Sequence, residues 1–180
     1  MQVRRVIVAN GADGRSGVVS DGAAPRAFDL RSVPGFSGAL LWATAADPVV
    51  GRGRPGDASP EVGYAPGRGE TRLMIVTFPP DSVMTRPEFD AMAFGQEFAA
   101  TIPGLAETFE LEHPGMHTTD SIDYDVVLDG EITLELDGGA EVALKRHEVV
   151  VQHGGRHAWR NKSDQPATML FVLIGASRTD

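Results

Sequence analysis

All five histidines of this 180-residue chain lie between His113 and His157, and there is no cysteine. They fall in two blocks. The first runs Gly115-Met116-His117-Thr118-Thr119-Asp120-Ser121-Ile122-Asp123 and continues to Gly130; the second runs Gln152-His153-Gly154-Gly155-Arg156-His157-Ala158-Trp159-Arg160-Asn161. Imidazole and carboxylate are the side chains that hold a divalent metal with an open position, or that move protons near neutral pH. Without thiols, any metal must be held by nitrogen and oxygen, and no disulfide can form.

Residues two apart on a strand share a face, so His117 and Thr119 point the same way. Asp123 lies on the neighbouring part of the same sheet edge. His157 comes from a later strand, after a turn that Gly154 and Gly155 permit. Convergence of His117, Asp123 and His157 would give two imidazoles and one carboxylate around an open centre, suited to Zn, Fe(II), Mn or Ni. The alternative is a histidine acting as general base with no metal at all. Trp159 shares the strand face of His157 and would line a pocket or simply fill a barrel. Gln152 would donate to a substrate carbonyl or satisfy nearby backbone. His153 precedes the Gly-Gly turn and reads as an outlying contact to a ligand. Tyr124 joins the catalytic set only if a bulge turns it to the face of Asp123.

The elements that must place these residues are mostly strands. Residues 3–9 and 17–19 flank Gly11-Ala12-Asp13-Gly14 and read as a hairpin. Further strands are expected at 39–44 and 72–78. Between them, residues 46–70 are rich in glycine, proline and charge without periodicity, and read as a long loop that caps the site. Apolar residues at three- to four-residue spacing predict one helix near 87–100, ending at Pro103-Gly104. From 123 onward, short strands alternate with tight turns: 123–128, a two-residue turn at Asp129-Gly130, a return strand 131–136, then 140–145, 148–151, 157–161 and 167–174. That rhythm predicts an all-β sandwich or barrel.

Composition narrows the function classes. Hydrophobic residues at 42% suffice for a core, and the net charge of −9 argues against a nucleic-acid partner. No apolar run approaches the ~18 residues of a membrane span, so a cytoplasmic protein is the expectation. The Gly-x-Gly patterns at 51–53 and 67–69 neither follow a strand nor open a helix, so no nucleotide cofactor is expected.

The two blocks resemble the paired motifs of the cupins. In the first motif His117, Thr119, Asp123 and Gly130 stand at the usual His, His, Glu and Gly positions. In the second, Gln152, Gly154, His157 and Asn161 stand at the usual Pro, Gly, His and Asn positions. The resemblance covers roughly residues 113–175. It implies a double-stranded β-helix, or jelly-roll barrel, over 105–180, with an N-terminal β extension and one short helix in 1–104. Metal-binding cupins commonly use three histidines and a glutamate; Thr119 and Asp123 depart from that set. Small cupins of this kind resemble tailoring enzymes, which implies a lyase, dehydratase or cyclase acting on a carbonyl-containing, polyketide-like substrate. The alternatives are a non-catalytic small-molecule binding protein and an Fe(II)-dependent dioxygenase. Pairing of the N-terminal strands across a two-fold axis would make the protein a homodimer.

Overall fold

A computed structural model describes residues 2–51, 55 and 62–179. The chain forms eleven strands: β1 (Arg4–Asn10), β2 (Ser16–Ala23), β3 (Arg26–Asp29), β4 (Ser37–Thr44), β5 (Thr71–Phe78), β6 (Ser121–Asp129), β7 (Glu131–Leu136), β8 (Glu141–Lys145), β9 (Val149–His153), β10 (His157–Arg160) and β11 (Ala167–Gly175). One α-helix, α1 (Ala91–Thr101), lies between β5 and β6. The fold is the expected all-β barrel. Among the described residues no helix is long and apolar enough to cross a membrane.

Two sheets enclose the core. The larger has the order β3-β4-β5-β11-β6-β9 and the smaller β10-β7-β8, all neighbours antiparallel. β11 shows the alternation that sets the inside: Ala167, Met169, Phe171 and Leu173 are buried, and the residues between them are only partly covered. They pack with Leu40 and Met74 from the larger sheet and Ile132, Leu134 and Leu144 from the smaller. Each such buried side chain contributes roughly 1.5–3 kcal/mol.

The N-terminal strands are part of the barrel wall. β4 and β5 join the same sheet as β11 and β6, so a division near residue 104 runs through a continuous sheet. Only the β1–β2 hairpin stands apart as a two-stranded ribbon, as its turn residues predict.

The expected hairpin at Asp129-Gly130 is corrected. β6 pairs with β11 and β9, whereas β7 pairs with β10 and β8, so the chain crosses from one sheet to the other at this point. Gly130 permits the crossing. Its φ is +75°, and a Cβ there would lie 2.6 Å from the Pro166 carbonyl oxygen.

The helix begins later than its apolar spacing suggests. Asp90 is the N-cap, accepting hydrogen bonds from the amides of Met92 (2.9 Å) and Ala93 (3.0 Å). Phe89, just before the cap, packs on Phe94 with ring centroids 5.9 Å apart. That is a hydrophobic staple, which extends the apolar pattern upstream of the helix itself.

The expected capping loop 46–70 lies partly outside the described residues. Its described C-terminal end is packed into the barrel: Tyr64 is buried, its amide bonds to Pro103 O, and the Arg26 guanidinium stacks on its ring at 4.6 Å.

Candidate active site

The barrel encloses a cavity of about 820 Å³. Aromatic side chains dominate its wall, with α1 closing one side through Phe94 and Phe98. A chain of ring contacts runs from the helix to the chemistry. Phe98 meets Phe109 (5.1 Å between centroids), Phe109 stacks on His117 (4.2 Å), His117 meets His157 (4.3 Å), and His157 meets Trp159 (5.9 Å).

His157 opens β10, but His117 lies outside the named strands. It is held by a single bridge to His157, in which each backbone amide donates to the other residue's carbonyl (2.9 and 3.0 Å). A second bridge joins it to Phe109. The rings are oriented by their own turns: His117 Nδ1 donates to Gly115 O (3.1 Å) and His157 Nδ1 to Gly155 O (2.9 Å). A carbonyl can only accept, so the proton is on Nδ1 and the lone pair on Nε2 in both rings. Burial pushes His117 down to about 4, and the charge of a protonated His157 adds to this. Burial also lowers His157, against the hydrogen bond to Gly155. Both imidazoles are therefore neutral at pH 7.

The opposite part of the site comes from β6. Its inward residues are Ser121, Asp123, Asp125 and Val127, so three polar groups occupy positions that a barrel would ordinarily fill with apolar side chains. Ser121 Oγ donates to Thr119 Oγ1 (2.9 Å), and Thr119 Oγ1 makes a long contact to Asp123 Oδ2 (3.5 Å). The second oxygens of Asp123 and Asp125, both Oδ1, have no hydrogen-bond partner among the described residues. Burial raises Asp123, opposed by the Ser121 and Thr119 hydroxyls. Asp125 is only 1% exposed. Burial, with the charge of Asp123 added, pushes it up to about 8, so Asp125 is a carboxylic acid at neutral pH.

Of the residues singled out from sequence, His117, Thr119, Asp123, His157 and Trp159 line the cavity. Three do not. Tyr124 is 45% exposed on the outer face of β6, opposite Val151, because the strand keeps its alternation there without a bulge. His153 ends β9 with an exposed side chain. Gln152 is buried beside Asp123 across the β6–β9 ladder, with its Nε2 unpartnered among the described residues, but it is not in the cavity wall. Asp125 was missed, although period two from Asp123 places it on the same face. Asn161 proves to organise a turn: its Nδ2 donates to Phe78 O and Gln165 O, and its Oδ1 accepts from Ser163.

No family model matches the chain. Phomopsin biosynthesis cluster protein C′ of Diaporthe leptostromiformis is 55% identical over 62 residues, covering 34% of this chain and 33% of that protein. Oryzines biosynthesis cluster protein J of Aspergillus oryzae is 41% identical over 81 residues, covering 42% and 45%. A cupin-domain-containing oxidoreductase of Hypocrea virens is 36% identical over 62 residues, covering 33% and 32%. Over that stretch the chain is similar to a cupin-domain-containing protein. The chain spans about a third of the length of the first curated relatives it matches. Among solved structures, a Cupin 2 conserved barrel domain protein of Salinispora arenicola superposes with a TM-score of 0.39 at 18% identity, over 66% of this chain and 71% of its own.

Cupins commonly carry a metal, and the donors here do not fit one. His117 and His157 offer two Nε2 atoms, but Thr119 stands where a third imidazole would be and its hydroxyl is engaged by Ser121 and Asp123. Asp123 contacts the Thr119 hydroxyl and shares the buried face of β6 with Asp125. Among the described residues no three of His, Asp and Glu are grouped to hold a metal ion, which corrects the expected set His117, Asp123 and His157.

Proposed function

We propose that this protein is a cupin-type small-molecule biosynthetic enzyme that eliminates water from, or cyclises, a carbonyl compound by acid–base catalysis without a metal. The observation that carries the reading is the pairing of opposite groups on one cavity: neutral imidazoles with Nε2 lone pairs, and a carboxylic acid at Asp125 that keeps its proton to about pH 8. The relatives named as biosynthesis cluster proteins support the small-molecule setting.

An Nε2 of the imidazole pair takes the proton from the carbon next to the substrate carbonyl. The released electron pair forms the new C=C bond and expels the β-hydroxyl, which leaves as water by taking the Asp125 proton. Return of the proton from imidazolium to carboxylate restores the site. Two imidazoles this close accept one extra proton between them, since a second would add like charge in a buried place. General acid and base groups of this kind contribute roughly 10²–10⁴-fold each.

A panel of aryl β-hydroxy ketones, followed by enone absorbance, tests the reaction. Wild-type turnover that survives chelation, and falls at least about 100-fold in both His157→Ala and Asp125→Asn, is the expected outcome. Full turnover in folded Asp125→Asn would overturn the assignment. A second reading, oxidation of a small molecule, draws on the name of the Hypocrea virens relative. Activity strictly dependent on added Fe(II) and dioxygen would favour it.

A further inference from the structure

The cavity wall contains one group that the proposed reaction does not use. Among the described residues lining it, Arg160 is the only lysine or arginine. It stands on the rim, where the cavity meets a second, outer hollow of about 380 Å³ that shares Pro114 and Arg160 with it. Glu135 takes only one edge of its guanidinium, Nε to Oε2 at 2.6 Å. The other end lies over Gly115, where a Cβ would fall 2.6 Å from NH1, so the absence of a side chain there makes room for the guanidinium. Two acidic groups of the same wall have other hydrogen-bond donors, although the Arg160 charge also reaches Asp81. Both oxygens of Glu110 accept from Arg156, and Asp81 accepts the Asn161 amide.

We propose that Arg160 is a carboxylate-recognition site at the cavity rim, and that the ligand is an apolar molecule of aromatic character ending in a carboxylate. A guanidinium edge with two N–H groups matches a carboxylate in a paired geometry. The aromatic wall takes the rest of the ligand, and the rim places the charged end towards water. The proposal rests on the reading of the cavity as a substrate site, and it narrows the substrate class from carbonyl compounds in general to carboxylate-bearing ones.

The test uses two probes of nearly equal shape, 2-naphthylacetate and 2-naphthylacetamide, titrated by naphthalene fluorescence at pH 7. The wild type should bind the carboxylate about ten-fold or more tightly than the amide. Arg160→Gln should erase that preference while leaving the amide affinity unchanged. Equal binding of both probes by the wild type, or a preference that persists in Arg160→Gln, overturns the proposal. Should Arg160→Gln fail to fold, Glu135→Gln decides: removing the competing carboxylate should increase the preference, and a preference that does not increase overturns the proposal. His157→Ala separates this site from the chemistry, since it should keep the preference and lose turnover. A preference without turnover in any protein refutes the proposed reaction and leaves the carboxylate site standing; turnover without a preference does the reverse.

Discussion

Asp125 combines a structural cost with a chemical use. Its carboxyl is held in the barrel without a partner for Oδ1, and an unsatisfied buried polar group costs about 1–3 kcal/mol. At pH 7 the folded chain must hold a proton on Asp125 that the unfolded chain gives up, a cost that asparagine lacks. Asp125→Asn should therefore cut turnover at least about 100-fold and raise stability by about 1 kcal/mol, roughly 2–4 °C in Tm for a chain of this size. A variant that melts lower than wild type would contradict this. The same residue sets the basic limb of the activity profile. The kcat/KM curve should be bell-shaped, falling above about pH 8 as Asp125 ionises and, on the acid side, below the ordinary histidine range as the imidazole pair protonates. His117, His157 and Trp159 were legible in the sequence because their positions fix their face. Tyr124 entered the set on the condition of a bulge that β6 does not form there, and His153 sits at the exposed end of β9. Asp125 went unseen because its carboxyl is made functional by burial and by Asp123, neither of which a motif displays.

At the scale of the elements, strand positions were readable from β-branched runs and turn residues, but partnership was not. Asp129-Gly130 has the composition of a two-residue hairpin turn, and only the long-range pairing of β6 with β11 and of β7 with β10 reveals a passage between sheets. Gly130→Ala should cost about 1–3 kcal/mol, since the new methyl meets the Pro166 carbonyl and φ stays positive. A denaturant midpoint equal to wild type would show that the crossing tolerates a side chain. The helix is a separate case. Removing its cap with Asp90→Ala should cost about 1 kcal/mol. Because Phe94 and Phe98 line the cavity, the variant should also weaken naphthyl-probe binding without changing kcat; unchanged affinity would mean that α1 does not shape the ligand site.

For the whole molecule, the buried groups make stability depend on pH with a predictable sign. The folded value of Asp125 lies above its unfolded value of 3.8, so the unfolded chain holds fewer protons between that pH and about 8, and stability falls as pH rises through the window. The imidazoles act oppositely. Their folded values lie below 6.5, so stability falls as pH drops beneath 6.5. Well above 6.5 they are neutral in both states and the raised Asp125 carboxyl dominates this slope. Tm should therefore decline from pH 7 to 8 in the wild type, and Asp125→Asn should flatten most of that decline; an equal slope in both would reject the assignment. Elemental analysis of the purified protein should find no stoichiometric divalent metal, and a bound metal lost in His117→Ala would reverse the reading of the donor set. The bridge between His117 and His157 joins residues from the two sequence blocks through two main-chain hydrogen bonds, beside the contact of their rings. A substitution at either position keeps both main-chain groups, so the chemistry presented to the cavity can change while the backbone link between the blocks stays.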